Sequence, residues 1–108
     1  MVKQGDIILV DFSPTIGSEQ RGRRPAVVVS NNDFQRVTKK FAIVVPITST
    51  RRNKFPLHVG LDNRTNTQGD IMCEQIKMID TEARNVQVIE SIPNDILEKI
   101  LNLVTLFF

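Results

Sequence analysis

The sequence predicts a mainly β protein: a small, strongly bent sheet or barrel with one C-terminal helix. Three observations carry this expectation. Short, β-branched apolar runs recur along most of the chain, each bounded by Gly, Pro or Asn/Asp. Helical spacing of apolar residues occurs only near the end, where Ile96, Leu97, Ile100, Leu101, Val104 and Phe108 form one stripe. The length of 108 residues is that of one domain, since division would leave cores too small to fold alone.

Asp6-Ile7-Ile8-Leu9-Val10-Asp11-Phe12 is the first expected strand, set between Gly5 and Pro14. A polar, flexible loop over 13–23 follows. Pro25 to Ser30 is the second strand, with proline tolerated at its start. Asn31-Asn32-Asp33 reads as a turn, and 34–40 as irregular or a short helix. Phe41 to Val45 is the third strand, continued by Pro46-Ile47-Thr48-Ser49-Thr50, where Pro46 points to an edge or a bulge. Arg51-Arg52-Asn53-Lys54 is a basic loop. Leu57-His58-Val59 is a short strand ended by Gly60, and 61–69 is a polar loop. Asp70 to Ile79 is extended, with a break expected near Glu74-Gln75. Val86 to Glu90 is another short strand. Pro93 suits the first turn of the terminal helix, and Asp95 and Glu98 complement its dipole. Its apolar stripe is expected to pack on the barrel or on another subunit rather than on a membrane.

Composition narrows the function. Apolar content of 41% and charged content of 24% describe a globular chain. No apolar run reaches the roughly 18–20 residues that span a bilayer, and Met1 to Asp6 lacks the apolar core of a signal peptide. The expected compartment is the cytoplasm, with no membrane partner. One cysteine, Cys73, excludes an internal disulfide and reads as a buried small hydrophobe. With one cysteine and one histidine, His58, the chain alone cannot build a Cys/His zinc site. We expect no metal and no cofactor. The net charge of +2 divides unevenly, with +6 over residues 1–64 and −4 over 65–108. That asymmetry suits a polyanion, although scattered surface charge would give the same count.

The junction between the first loop and the second strand carries the most chemistry. Gly17-Ser18-Glu19-Gln20-Arg21-Gly22-Arg23-Arg24-Pro25 runs into Ala26-Val27-Val28-Val29-Ser30. It holds Arg24 at the end of a rigid element. A guanidinium is planar, always charged and bidentate, which suits a phosphate. This junction resembles the MazF/PemK (Kid) family of toxin endoribonucleases. So do Gly5-Asp6-Ile7, Val45-Pro46-Ile47-Thr48-Ser49 and Glu74-Gln75-Ile76-Lys77-Met78-Ile79-Asp80, in the family's order and spacing. Phe34-Gln35-Arg36-Val37-Thr38 looks especially like the plasmid PemK/Kid branch. The resemblance spans essentially the whole chain. It implies an SH3-like β-barrel of the CcdB/MazF toxin type with a C-terminal helix, assembled as a homodimer. It also implies metal-independent, sequence-specific cleavage of single-stranded RNA, which blocks translation by cutting messenger RNA. The implied partner is a cognate antitoxin with an acidic, partly disordered tail.

Such cleavage needs a base for the 2′-hydroxyl proton, a stabiliser of the phosphorane, and help for the departing 5′-oxygen. Arg24 resembles the family's catalytic arginine and is assigned transition-state binding; the bland alternative is a structural salt bridge. Thr48 matches the family's functional threonine and could donate to a phosphate oxygen, with Ser49 assisting; the alternative is a strand-end threonine chosen for β propensity. Glu74 falls where the Kid branch carries an aspartate proposed as general base, against a buried structural carboxylate paired with an arginine. Two departures block a direct carry-over. The branch's arginine two residues earlier is Met72 here, and its loop histidine is Ser18, as in other MazF-type chains. Glu19 and Gln20 are expected on a loop that closes on RNA, or at a solvated loop tip. Gln75 and Lys77 are expected to line the groove, reading a base edge and a phosphate. Arg51, Arg52 and Lys54 could contact the RNA backbone, or form a solvated loop. His58 reads as structural or surface. With no Tyr or Trp, recognition should lean on hydrogen bonds, arginine planes or Phe55. Two competing classes are a gyrase-poisoning toxin of the CcdB type, which would not need Arg24, Thr48 and Glu74 together, and an SH3-like adaptor or nucleic-acid-binding module.

Overall fold

The computed structural model describes residues 1–12, 23–50 and 56–108. These form seven strands and two helices: β1 (Asp6–Val10), β2 (Arg24–Val28), α1 (Asn32–Thr38), β3 (Phe41–Thr48), β4 (His58–Gly60), β5 (Asp70–Met72), β6 (Lys77–Asp80), β7 (Gln87–Ser91) and α2 (Asn94–Thr105). A single 3₁₀ turn, Cys73–Gln75, separates β5 from β6. The break expected near Glu74-Gln75 is therefore real.

All strand pairs are antiparallel, in the order β4-β5-β3-β2-β1-β7, with β6 also on β3. Among the described residues β4 and β7 do not meet, so the small barrel takes an open form. β3 is eight residues long and serves two partners on one side. Phe41 to Val44 pair with β6, while Ile47 and Thr48 pair with β5. Between them, Val45 and Pro46 have no registered partner on that side. A residue without an N–H is tolerated there because the ladder is already interrupted. Pro46 thus occupies a local edge inside a strand whose other side pairs with β2.

Alternation places the strand residues on two faces. Ile7, Val27, Val45, Ile47, Ile71 and Cys73 form one buried cluster with Ile96, Ile100 and Val104 of α2. Ile8, Val10, Ala26, Val28, Ala42, Val44 and Ile79 form a second on the opposite face, with Phe12 and Val86 packed against it. β1 to β3 are buried on both faces, which explains their near-continuous apolar runs. The helical stripe packs as expected up to Val104. Phe108 lies beyond α2 and is 91% exposed, because the helix ends at Thr105.

Two boundaries differ from the sequence expectation. Asn31-Asn32-Asp33 does not form a free turn: it opens α1. Asn31 caps that helix, its Oδ1 accepting from the Phe34 N–H at 2.8 Å, the usual role of Asn at an N-cap. β2 begins one residue early, so Arg24 stands within the strand rather than before it. The expectations on Ser18, Glu19, Gln20, Arg51, Arg52, Lys54 and Phe55 lie outside the described residues.

Candidate active site

Sheet register brings the separated motifs onto one line. β2 and β3 run antiparallel with Ala26 opposite Pro46, so two residues further on Arg24 comes opposite Thr48. Thr48 is paired in turn with Asp70 of β5, and Asp70 with Gly60 of β4. Directly opposed residues share a face. Arg24, Thr48 and Asp70 therefore form a row across three strands, on the face of the second cluster, where that cluster runs out.

Arg24 is exposed at the head of this row, opposite Val10 of β1. Its neighbour Arg23 is committed elsewhere, donating from Nη1 to Gln87 Oε1 at 2.6 Å. Thr48 is half-buried, and its Oγ1 accepts from the Thr50 N–H at 3.2 Å. That bond uses the hydroxyl as an acceptor and leaves its proton to donate. Ser49 is exposed just past the strand. Gly69 makes the Thr48–Asp70 pairing possible. It has φ +129°, and a Cβ there would sit 2.1 Å from the Thr48 carbonyl oxygen, so only glycine allows this approach.

Glu74 lies in the 3₁₀ turn that follows β5. Its side chain is about a quarter exposed, and its partner is not an arginine. His58 Nε2 lies 3.1 Å from Glu74 Oε2, and the His58 side chain is only 6% exposed. Asp70 Oδ2 lies 3.8 Å from the other ring nitrogen, Nδ1. The two carboxylates thus sit at opposite edges of one imidazole and do not converge on a point. Accordingly, no cluster of His, Cys, Asp or Glu suited to a metal ion occurs among the described residues. Glu74 Oε1 is buried with no hydrogen-bond partner among the described residues. Next to Glu74, the Cys73 thiol is buried, and burial followed by the Glu74 charge pushes its pKa up to about 11. It is protonated and inert at neutral pH.

Gln75 is exposed in the same turn, and Lys77 at the start of β6. Lys77 pairs in register with Val44, roughly 13 Å along β3 from Thr48 at the usual strand rise. Its Nζ sits 4.8 Å from the centre of the Phe12 ring, a cation–π contact that fixes it near the end of β1. Sequence reasoning missed three contributors: His58 as the partner of Glu74, Asp70 as the link between His58 and Thr48, and Gly69 as the spacer. Only Gly69 had a local signal, a glycine directly before an extended segment. His58 and Glu74 are brought together by the β4–β5 register, which sets His58 opposite Met72.

An open antiparallel sheet with a C-terminal helix and a cationic, hydroxyl-bearing row at one edge defines a small SH3-like protein of the MazF-type toxin fold. The model of the PemK-like, MazF-like toxins of type II toxin–antitoxin systems matches residues 3–108, and the chain belongs to that family. It is similar to the endoribonuclease PemK of Escherichia coli, 37% identical over 105 residues that cover 93% of this chain and 77% of that one. It is also similar to the endoribonuclease EndoA of Bacillus subtilis (strain 168), 36% identical over 93% of this chain and 88% of the relative. Among solved structures, MazF in the MazE–MazF complex (Form-II) from Deinococcus radiodurans superposes with a TM-score of 0.87. It is 25% identical, and the match covers 98% of this chain and 94% of that one.

Proposed function

We propose that this chain is an endoribonuclease toxin that cuts single-stranded RNA, messenger RNA included, at short sequence motifs without a metal ion. Its relatives are named endoribonucleases over nearly the whole of its length. The observation that carries the chemistry is the register that sets Arg24 opposite Thr48 and Thr48 opposite Asp70, beside the turn that holds Glu74.

In this reading Glu74 removes the proton from a 2′-hydroxyl, whose oxygen forms a bond to the adjacent phosphorus. The Arg24 guanidinium binds the two non-bridging oxygens as charge builds on them. The Thr48 hydroxyl donates a further hydrogen bond. The bond from phosphorus to O5′ then breaks, O5′ takes up a proton, and the products carry a 2′,3′-cyclic phosphate and a 5′-hydroxyl. The buried, unpartnered Oε1 of Glu74 supports the choice of base. An acceptor left without a donor is costly, and an incoming hydroxyl relieves it. Gln75 and Lys77 would contact a base edge and a phosphate on the same strand of RNA, with Ser18, Glu19, Gln20, Ser49 and Arg51 completing the groove.

A homodimer, a cytoplasmic location and neutralisation by an antitoxin with an acidic, partly disordered tail belong to the same reading. The toxin–antitoxin family supports the antitoxin partner. Incubation of the purified protein with a long single-stranded RNA in EDTA tests the activity. Discrete fragments ending in 2′,3′-cyclic phosphate are expected. Intact RNA, or fragments with 3′-hydroxyl ends, would overturn it, and trapped gyrase–DNA complexes with intact RNA would favour a gyrase poison. Light scattering of the same sample tests the dimer, which a monomer mass at working concentration would refute.

A further inference from the structure

We infer that His58 is a positioning residue for the general base: it clamps Oε2 of Glu74 so that Oε1 alone faces the incoming proton. The inference rests on the assignment of Glu74 made above. His58 stands on β4, opposite Met72 of β5, with its side chain 6% exposed. Glu74 follows β5 in a turn of only three residues, which leaves its three side-chain torsions unconstrained by any regular ladder. The contact between His58 Nε2 and Glu74 Oε2, at 3.1 Å, removes that freedom. An ionised carboxylate can only accept, so Nε2 must carry a proton and donate it.

The same ring ties the base to the phosphate-binding row. Asp70 approaches Nδ1 at 3.8 Å, and Asp70 is the registered partner of Thr48. Thr48, Asp70, His58 and Glu74 thus form one physical chain between the hydroxyl that would hold the phosphate and the carboxylate that would take the proton. Lys99 and Asn102 of α2 share a cavity of about 400 Å³ with His58, on the side of the ring away from the sheet edge. Placing a base within reach of its proton is worth a large factor, and a misplacement of about 1 Å can cost about 100-fold in rate.

The test compares kcat and KM on one RNA oligonucleotide for wild type, His58→Ala, His58→Gln, Glu74→Gln and the double variant His58→Ala/Glu74→Gln, each checked by thermal melting. His58→Ala should lower kcat about 10- to 100-fold with KM changed less than about threefold. His58→Gln, whose amide N–H can reach the same oxygen, should restore most of the loss. The double variant should be no slower than Glu74→Gln alone, because a clamp has no work without its carboxylate. Wild-type kcat in His58→Ala, or a double variant slowed by the full product of both factors, would overturn the inference. A readout independent of the variants is the long-range ¹H–¹⁵N spectrum of the wild type. It should show a protonated Nε2 at neutral pH, and a neutral ring with bare Nε2 would overturn the clamp. Wild-type activity in Glu74→Gln would instead remove the base assignment itself. A slow Glu74→Gln beside a normal His58→Ala would remove only the role of His58.

Discussion

Arg24 and Glu74 divide the proposed chemistry between a fixed cation and a half-buried carboxylate. Arg24 is exposed on a strand whose next four residues are progressively buried, so its loss should leave the core untouched. We expect Arg24→Ala to lower kcat on the order of 100- to 1,000-fold, as removal of one transition-state donor typically does. Its melting temperature should stay within a degree or two of wild type. Cleavage at the wild-type rate would remove Arg24 from the mechanism. Glu74→Gln should lower kcat about 100-fold or more and abolish the acid limb of the pH–rate profile, since an amide has no proton to lose there. An unaltered limb would point to another base. Arg24 and Thr48 were legible as candidates because each sits in a contiguous motif at a strand end. The partner of Glu74 was not legible. The carboxylate was expected either as a free base or beside an arginine, whereas its neighbour is a histidine 16 positions earlier. Nothing local in Leu57-His58-Val59 announces that contact, because strand register across an intervening loop decides it.

At the level of elements, β3 and the loop before β5 set the site. The sequence announced β1, β2, β3 and α2 through composition alone, and located Pro46 at an irregularity. It did not reveal that β3 changes partner there, because that depends on where β5 and β6 dock rather than on β3 itself. Gly69 shows how closely the loop is fitted. Gly69→Ala should destabilise the protein by at least about 1–3 kcal/mol, since φ +129° is strained for any residue with a Cβ and the added carbon meets Thr48. It should also reduce kcat by moving Thr48. Denaturant melts beside kinetic assays check both, and a fully stable, fully active variant would contradict the geometry. On α2, Ile100 is fully buried against the sheet. Ile100→Ala should cost about 2–5 kcal/mol in the same melts. A loss below about 0.5 kcal/mol would show that the helix does not close this core.

Across the whole molecule, electrostatics links distant segments. Arg64 donates to Asp62 on its own loop and to Asp95 at the start of α2, at 2.8 to 3.1 Å for its closest contacts. Its hydrogen bonds hold Asp62 down to about 2 and lower Asp95 as well. A carboxyl whose pKa is depressed on folding stabilises the native state above its unfolded value and loses that contribution as pH falls through the folded value. For Asp62 the window runs from about pH 4, near its usual pKa, down to about pH 2. Thermal melts should therefore decline over that window, less steeply in Arg64→Gln, and the difference should shrink in high salt because these groups are exposed. Identical acid profiles for the two proteins would contradict the link.

The central claim, that the row from Arg24 through Thr48 to the Glu74 turn is where RNA is cut, is tested most directly by a complex. An oligonucleotide with a single 2′-deoxy substitution at the cleaved position should bind without being cut. In its crystal structure the scissile phosphate should lie about 3 Å from the Arg24 guanidinium and the Thr48 hydroxyl, with the deoxy carbon turned toward Glu74. A phosphate seated on another face of the sheet, with Arg24 turned away from it, would contradict the account.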